Sequence, residues 1–91
     1  MDKEALDIRF NEAVEIASKM SQASLPQDVQ LRLYAYYKQA THGNIQNNYM
    51  PQADLRNAFK TNAWMQISHL TEDEAKVLYS DMIFDLQKDG Y

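Results

Sequence analysis

Four stretches of this chain place apolar residues at steps of three and four, and no stretch alternates convincingly with period two. That pattern restricts the chain to helices packed against helices. Only two glycines and two prolines occur in 91 residues, so turns are few and regular elements long. The length suits one compact core, and 45% apolar with 24% charged residues is ordinary globular composition. No cysteine is present, which removes disulfides and thiolate metal ligation. No apolar run approaches the roughly 20 residues of a membrane span. The opening Met1-Asp2-Lys3-Glu4 lacks the apolar core of a signal peptide. The expectation is a single all-α domain over residues 1–91, cytoplasmic, monomeric and without an integral membrane segment.

The first helix is expected over residues 3–20, with Phe10, Ala13, Val14, Ala17 and Met20 on one face. Ser21-Gln22-Ala23-Ser24 ends it. The second begins near Pro26, where a missing N–H costs nothing, and runs to about Thr41, with Gly43 as a left-handed stop. Asp28 suits its first turn through the helix dipole. Residues 44–53, rich in Asn and Gln, form the longest irregular stretch and are long enough to cross a bundle. The third helix is expected from an Asp54 cap to Ser68. The fourth opens on a capping box, Thr71-Glu72-Asp73-Glu74, and continues as an apolar stripe of Ala75, Leu78, Tyr79, Met82, Ile83 and Leu86 before Gly90.

The second helix carries two stripes. Val29, Leu33, Tyr36 and Ala40 read as core. A quarter-turn round stand Leu31, Tyr34, Tyr37, Lys38 and Thr41, with the last four at i, i+3, i+4 and i+7. Two phenols, an ammonium and a hydroxyl suit a flat heteroaromatic ring bearing phosphate, the ring stacking and the phosphate taking charge-assisted hydrogen bonds. The same pattern also describes half-buried bundle tyrosines under the stem of Lys38. On the third helix Arg56, Lys60, Ala63 and Ile67 make a cationic edge, with Trp64 one turn past Lys60; it reads as an anionic-head site or as a solvated basic edge. Tyr79 lies in an aliphatic stripe, where its hydroxyl needs either a bundle partner or a bound polar group.

Other chemistry is poorly represented. A net charge of −4 argues against general nucleic-acid binding but leaves room for a small anionic ligand at a local cation cluster. His42 and His69 lie near helix ends without a carboxylate or second histidine at metal-ligand spacing, so no metal is expected. No Gly-rich phosphate loop, nucleophile elbow or His-Glu-x-x-His occurs, so no catalytic residue is assigned.

Leu33-Tyr34-Ala35-Tyr36-Tyr37-Lys38-Gln39-Ala40-Thr41-His42-Gly43 resembles the signature of the acyl-CoA-binding protein family, approximately Tyr-x-x-(Phe/Tyr)-Lys-Gln-Ala-Thr-x-Gly. Spacing continues through Asp54-Leu55-Arg56, Lys60, Ala63-Trp64, Asp73-Glu74-Ala75 and Tyr79, and Phe10 to Val14 looks like the family's opening Phe-x-x-Ala. The resemblance implies a four-helix bundle, up-down-down-up, with a long loop between helices two and three. It implies reversible binding of long-chain fatty acyl-CoA, with Tyr34, Tyr37 and Lys38 at the adenine and 3′-phosphate, Lys60 and Arg56 as cations of helix three, and Tyr79 on helix four. There are departures. Thr61 stands where the family has the first tryptophan of Lys-Trp-x-Ala-Trp, and Tyr49-Met50-Pro51 replaces its Arg-Pro-Gly. A basic position of the first helix falls at Ser18, beside Lys19.

The resulting expectation is a carrier without enzymatic activity. It needs no cofactor, its ligand being medium- to long-chain acyl-CoA, and it transports and buffers that ester within fatty acid metabolism for acyl-CoA-using enzymes. The alternative is a helical protein-interaction module with weak or lost acyl-CoA binding.

Overall fold

The computed structural model describes residues 2–42 and 55–90, with the side chains of residues 42 and 55–58 outside the description. Four α-helices carry the chain: α1 (Lys3–Lys19), α2 (Gln27–His42), α3 (Leu55–Gln66) and α4 (Glu72–Lys88). A short 3₁₀ turn, Gln22–Ser24, links α1 to α2. No strand occurs among the described residues. The expected Gly43 stop, the loop over residues 44–53 and the Asp54 cap lie outside them.

Local chemistry sets the visible helix ends. The Asp2 carboxylate accepts from the Ala5 N–H at 2.8 Å, capping α1. The box expected at α4 is formed: the Glu74 N–H donates to Thr71 Oγ1 and the Thr71 N–H donates to Glu74 Oε1, both at 3.0 Å. Those bonds hold the Glu74 carboxyl below its ordinary pKa. Gly90 takes the left-handed φ of 93° just past the Asp89 cap. The third helix ends at Gln66, short of Ser68, because the chain tightens there: Ile67 and Ser68 donate three residues back, to the Trp64 and Met65 carbonyls.

Side-chain contacts fix the topology. Asp7 pairs with Lys76 and Phe10 meets Tyr79, so α1 and α4 run parallel. Tyr34 meets Lys60 and Gln39 meets Trp64, so α2 and α3 run parallel. Gln39 also reaches Leu70 at the start of α4 while Tyr37 meets Tyr79, so α2 and α4 run antiparallel. The order is up-down-down-up. Phe10, Ala13, Ala17, Leu25, Leu33, Ala40, Ala75, Tyr79 and Ile83 form the core, with Val14, Met20, Val29, Tyr36, Met82 and Leu86 packed around it. One member of the expected α4 stripe departs: Leu78 is 38% exposed, while Ser80 is fully buried. Ser80 is accommodated because its hydroxyl donates to the Lys76 carbonyl at 2.7 Å.

The buried Gln39 amide ties the bundle together. Its Nε2 donates to the carbonyls of Leu70 (2.6 Å) and Ser68 (3.3 Å), and its Oε1 accepts from Trp64 Nε1 at 2.9 Å. Gln39→Leu keeps similar bulk and removes all three bonds. It is expected to lower unfolding free energy by about 1–3 kcal/mol. Denaturant titration checks this. Trp64 is the chain's single tryptophan, so its fluorescence reports the same transition.

Candidate functional site

The second stripe of α2 faces a cavity of about 960 Å³. Leu31, Leu33, Tyr34 and Tyr37 supply the α2 wall, Val14, Ala17 and Ser18 the α1 wall, and Tyr79 the contribution of α4. Phe59 and Lys60 close it from α3. Phe59 is 48% exposed, so a large apolar ring at the rim waits for further covering.

Tyr34 is the centre of charge. Lys38 Nζ lies 5.7 Å from its ring centroid and Lys60 Nζ lies 5.2 Å from it. Lys38 arrives from the same helix, one turn on, and Lys60 from α3. Each ammonium gains from the ring quadrupole, but the two repel each other. Among the described residues neither has a carboxylate partner within ion-pair distance, whereas Lys76, Arg9, Lys19 and Arg32 each do. Two unneutralised cations around one aromatic face create a local positive field on an acidic chain. Burial raises the Tyr34 pKa, which keeps its phenol neutral.

Tyr37 is 37% exposed, and its ring stacks against Phe10 with centroids 6.2 Å apart and meets Tyr79 at 5.8 Å. Phe10 and Tyr79 complete the cluster at 5.3 Å. Tyr79 is only 5% exposed and lines the cavity; its hydroxyl makes no hydrogen bond to the described residues and is not sealed from solvent, since no buried side-chain polar atom among them lacks a partner. Burial, and then the neighbouring Tyr37, push its pKa up to about 12.

The sequence-expected residues are therefore gathered unevenly. Tyr34, Tyr37, Lys60 and Tyr79 line one cavity, and Lys38 stands beside it on the Tyr34 ring. Arg56 is in the first turn of α3, one turn before Lys60, and its side chain lies outside the description. Thr41 does not offer its proton to a ligand, because its hydroxyl donates to the Tyr37 carbonyl at 2.8 Å. Ser18 lines the cavity, whereas Lys19 turns to Glu15 at 3.6 Å and belongs to a separate shallow groove with Glu12 and Met20. Sequence reasoning passed over Phe59 and the glutamines at the far end of the cavity, Gln22, Gln27 and Gln30. Gln27, Gln30, Tyr34 and Tyr37 do share one helical face, and that spacing was the available signal. Among the described residues no group of three His, Asp or Glu is placed to hold a metal, and no helix is long and apolar enough to cross a membrane.

A family model described as Acyl CoA binding protein matches residues 7–83. The crystal structure of acyl-CoA-binding protein 2 from rice, Oryza sativa, superposes with a TM-score of 0.83 at 25% identity, covering 94% of this chain and 92% of that one.

The alkaline behaviour of Tyr79 gives a test of its burial. An unfolded phenol ionises near 10, whereas Tyr79 in the fold resists ionisation until about 12. Its contribution to stability is thus fully present below about pH 10 and is lost as pH rises through about 12. In Tyr79→Phe the fall of stability between those pH values should become shallower, as read from urea midpoints. An unchanged slope would show that Tyr79 ionises as freely as an exposed phenol.

Proposed function

The chain belongs to the acyl-CoA-binding protein family, and on that premise we propose that it binds medium- to long-chain fatty acyl-CoA reversibly and carries it without chemical change. The observation that supports this most is the pair of unneutralised ammoniums, Lys38 and Lys60, on the Tyr34 ring beside a largely apolar-walled cavity. Phosphates of the nucleotide answer the cations through charge-assisted hydrogen bonds, with Arg56 as a further cation from α3. The adenine stacks on the exposed phenol face of Tyr34 or Tyr37. The acyl tail then occupies the cavity, where each methylene buried against its apolar walls contributes about 0.8 kcal/mol. The Tyr79 hydroxyl gains a bond from the bound ester that the bundle does not give it.

A carrier must shield a reactive thioester, not activate water against it. The cavity walls are aromatic rings, amides, alkyl groups, the Ser18 hydroxyl and a lysine, and none of the described lining residues is a histidine, aspartate or glutamate able to serve as general base. We place the protein in the cytoplasm, as a monomer that buffers acyl-CoA and hands it to enzymes of fatty acid metabolism. It requires no metal or cofactor for this role.

Calorimetric titration tests the reading. Palmitoyl-CoA should bind far more tightly than palmitate. Lys38→Ala and Lys60→Ala should each weaken binding by about tenfold or more, the loss of one charge-assisted bond of about 1.5–3 kcal/mol. Lys19→Ala should bind as the parent does, since Lys19 faces Glu15. Equal affinity for palmitate and palmitoyl-CoA would remove the nucleotide contacts, and no binding of either would favour an interaction module on the same fold. Thiol release that scales with protein over many turnovers would identify an enzyme instead.

A further inference from the structure

The end of the cavity remote from the cations is unusually polar for a tail site. Gln27, Gln30, Tyr34 and Tyr37 follow one another along a single face of α2, so the cavity wall passes from phenols to amides over about 15 Å of helix. Ser18 and Gln22 face the same end from α1 and the turn after it. Two of the three amides are held in place. Gln30 Nε2 donates to the Leu25 carbonyl at 2.8 Å, and Gln22 Nε2 donates to the Ala17 carbonyl at 3.1 Å. Each bond fixes which end of the amide is nitrogen and leaves the Oε1 acceptor and one N–H without a partner in the bundle. The exposed Gln27 amide makes no hydrogen bond to the described residues. The Ser18 hydroxyl spends its proton on the Glu15 carbonyl at 2.6 Å, so toward the cavity it can only accept.

In the open cavity, water satisfies these groups. A tail of methylenes laid over them would remove that water and return nothing, at the cost of leaving amides unpaired. A tail bearing a hydroxyl at the right depth supplies a donor to Gln Oε1 or Ser18 Oγ and an acceptor to a free amide N–H. We propose that this cavity selects acyl groups carrying a hydrogen-bonding group, such as a hydroxyl, in the distal part of the chain over unsubstituted chains of the same length. The proposal rests on the acyl-CoA reading above, which sets the head at Lys38 and Lys60 and leaves the glutamine end to the tail.

The test is calorimetry of the full chain with four esters, dodecanoyl-CoA, 12-hydroxydodecanoyl-CoA, palmitoyl-CoA and 16-hydroxypalmitoyl-CoA, and with free CoA. At one chain length or both, the hydroxylated ester should bind more tightly than its parent. Gln30→Leu or Gln27→Leu should shift the ratio toward the unsubstituted ester by about tenfold, the effect of one buried hydrogen bond, and leave free CoA unchanged. Both positions are at least partly exposed, so two independent variants guard against a folding defect, which thermal unfolding monitors. Hydroxylated esters that bind no more tightly than their parents at both lengths overturn the proposal, and so does a ratio unmoved in both variants. So does a loss of free-CoA affinity in the variants, which would put the amides on the pantetheine arm. Failure of the parent protein to bind any of the four esters overturns the acyl-CoA reading itself, and this proposal with it.

Discussion

The bundle depends on one buried amide. Gln39 accepts from Trp64 of α3 and donates to two carbonyls of the turn that leads into α4. A side chain that bonds on both its oxygen and its nitrogen allows little sliding between the elements it joins. Tyr34 lies five residues before Gln39 on α2, and Lys60 lies four residues before Trp64 on α3. With the two helices parallel and pinned at Gln39, Lys60 falls over the Tyr34 ring at 5.2 Å. The same amide fixes Leu70, so α4 begins at a set height and carries Tyr79 to Tyr37 and Phe10. Every part of the candidate site is therefore placed by the register that Gln39 sets.

Away from that site several charged groups are paired. Asp7 and Lys76 pair at 2.7 Å, Arg9 and Asp81 at 2.8 Å, and the α4 box closes on itself. The first pair raises the Lys76 pKa through its hydrogen bond to Asp7, so Lys76 stays charged across the neutral range. Around the cavity the pattern reverses. Among the described residues the two ammoniums have no carboxylate within ion-pair distance, the Tyr79 hydroxyl makes no hydrogen bond, and the amides keep free acceptors. A fold optimised for stability alone would pair these groups, and their concentration along one cavity is what a ligand-binding surface requires.

Much of the fold was legible because helices advertise themselves locally. The Thr71 box, the Phe10 to Ala17 stripe and the Leu33 and Ala40 positions depend on neighbours three or four residues away, which the sequence displays. The aromatic and cationic stripe of α2 was legible for the same reason. What escaped depends on distant partners. A glutamine inside a helix looks solvated until a tryptophan 25 residues on is seen to donate to it. Leu78 belongs to the apolar stripe by spacing, but no helix among the described residues covers its side of α4, while Ser80 enters the core by bonding its own backbone. The place of Gln22 in the cavity was invisible for a related reason, since only the fold brings it to the same wall as Gln30.

The departure at position 61 makes sense in these terms. The family pattern that this chain resembles has two tryptophans on helix three, and here the first is Thr61 and the second is Trp64. The two positions are not equivalent in this bundle. Trp64 is buried and supplies the donor to Gln39, so its loss would release the register of α2 and α3. Thr61 is only half-buried, and no side-chain hydrogen bond or aromatic contact depends on it. Replacing a large ring there costs packing area, but it leaves the bond that positions Lys60 untouched. The chain can therefore diverge at 61 while keeping its architecture, because the constraint sits on the tryptophan that the central amide needs.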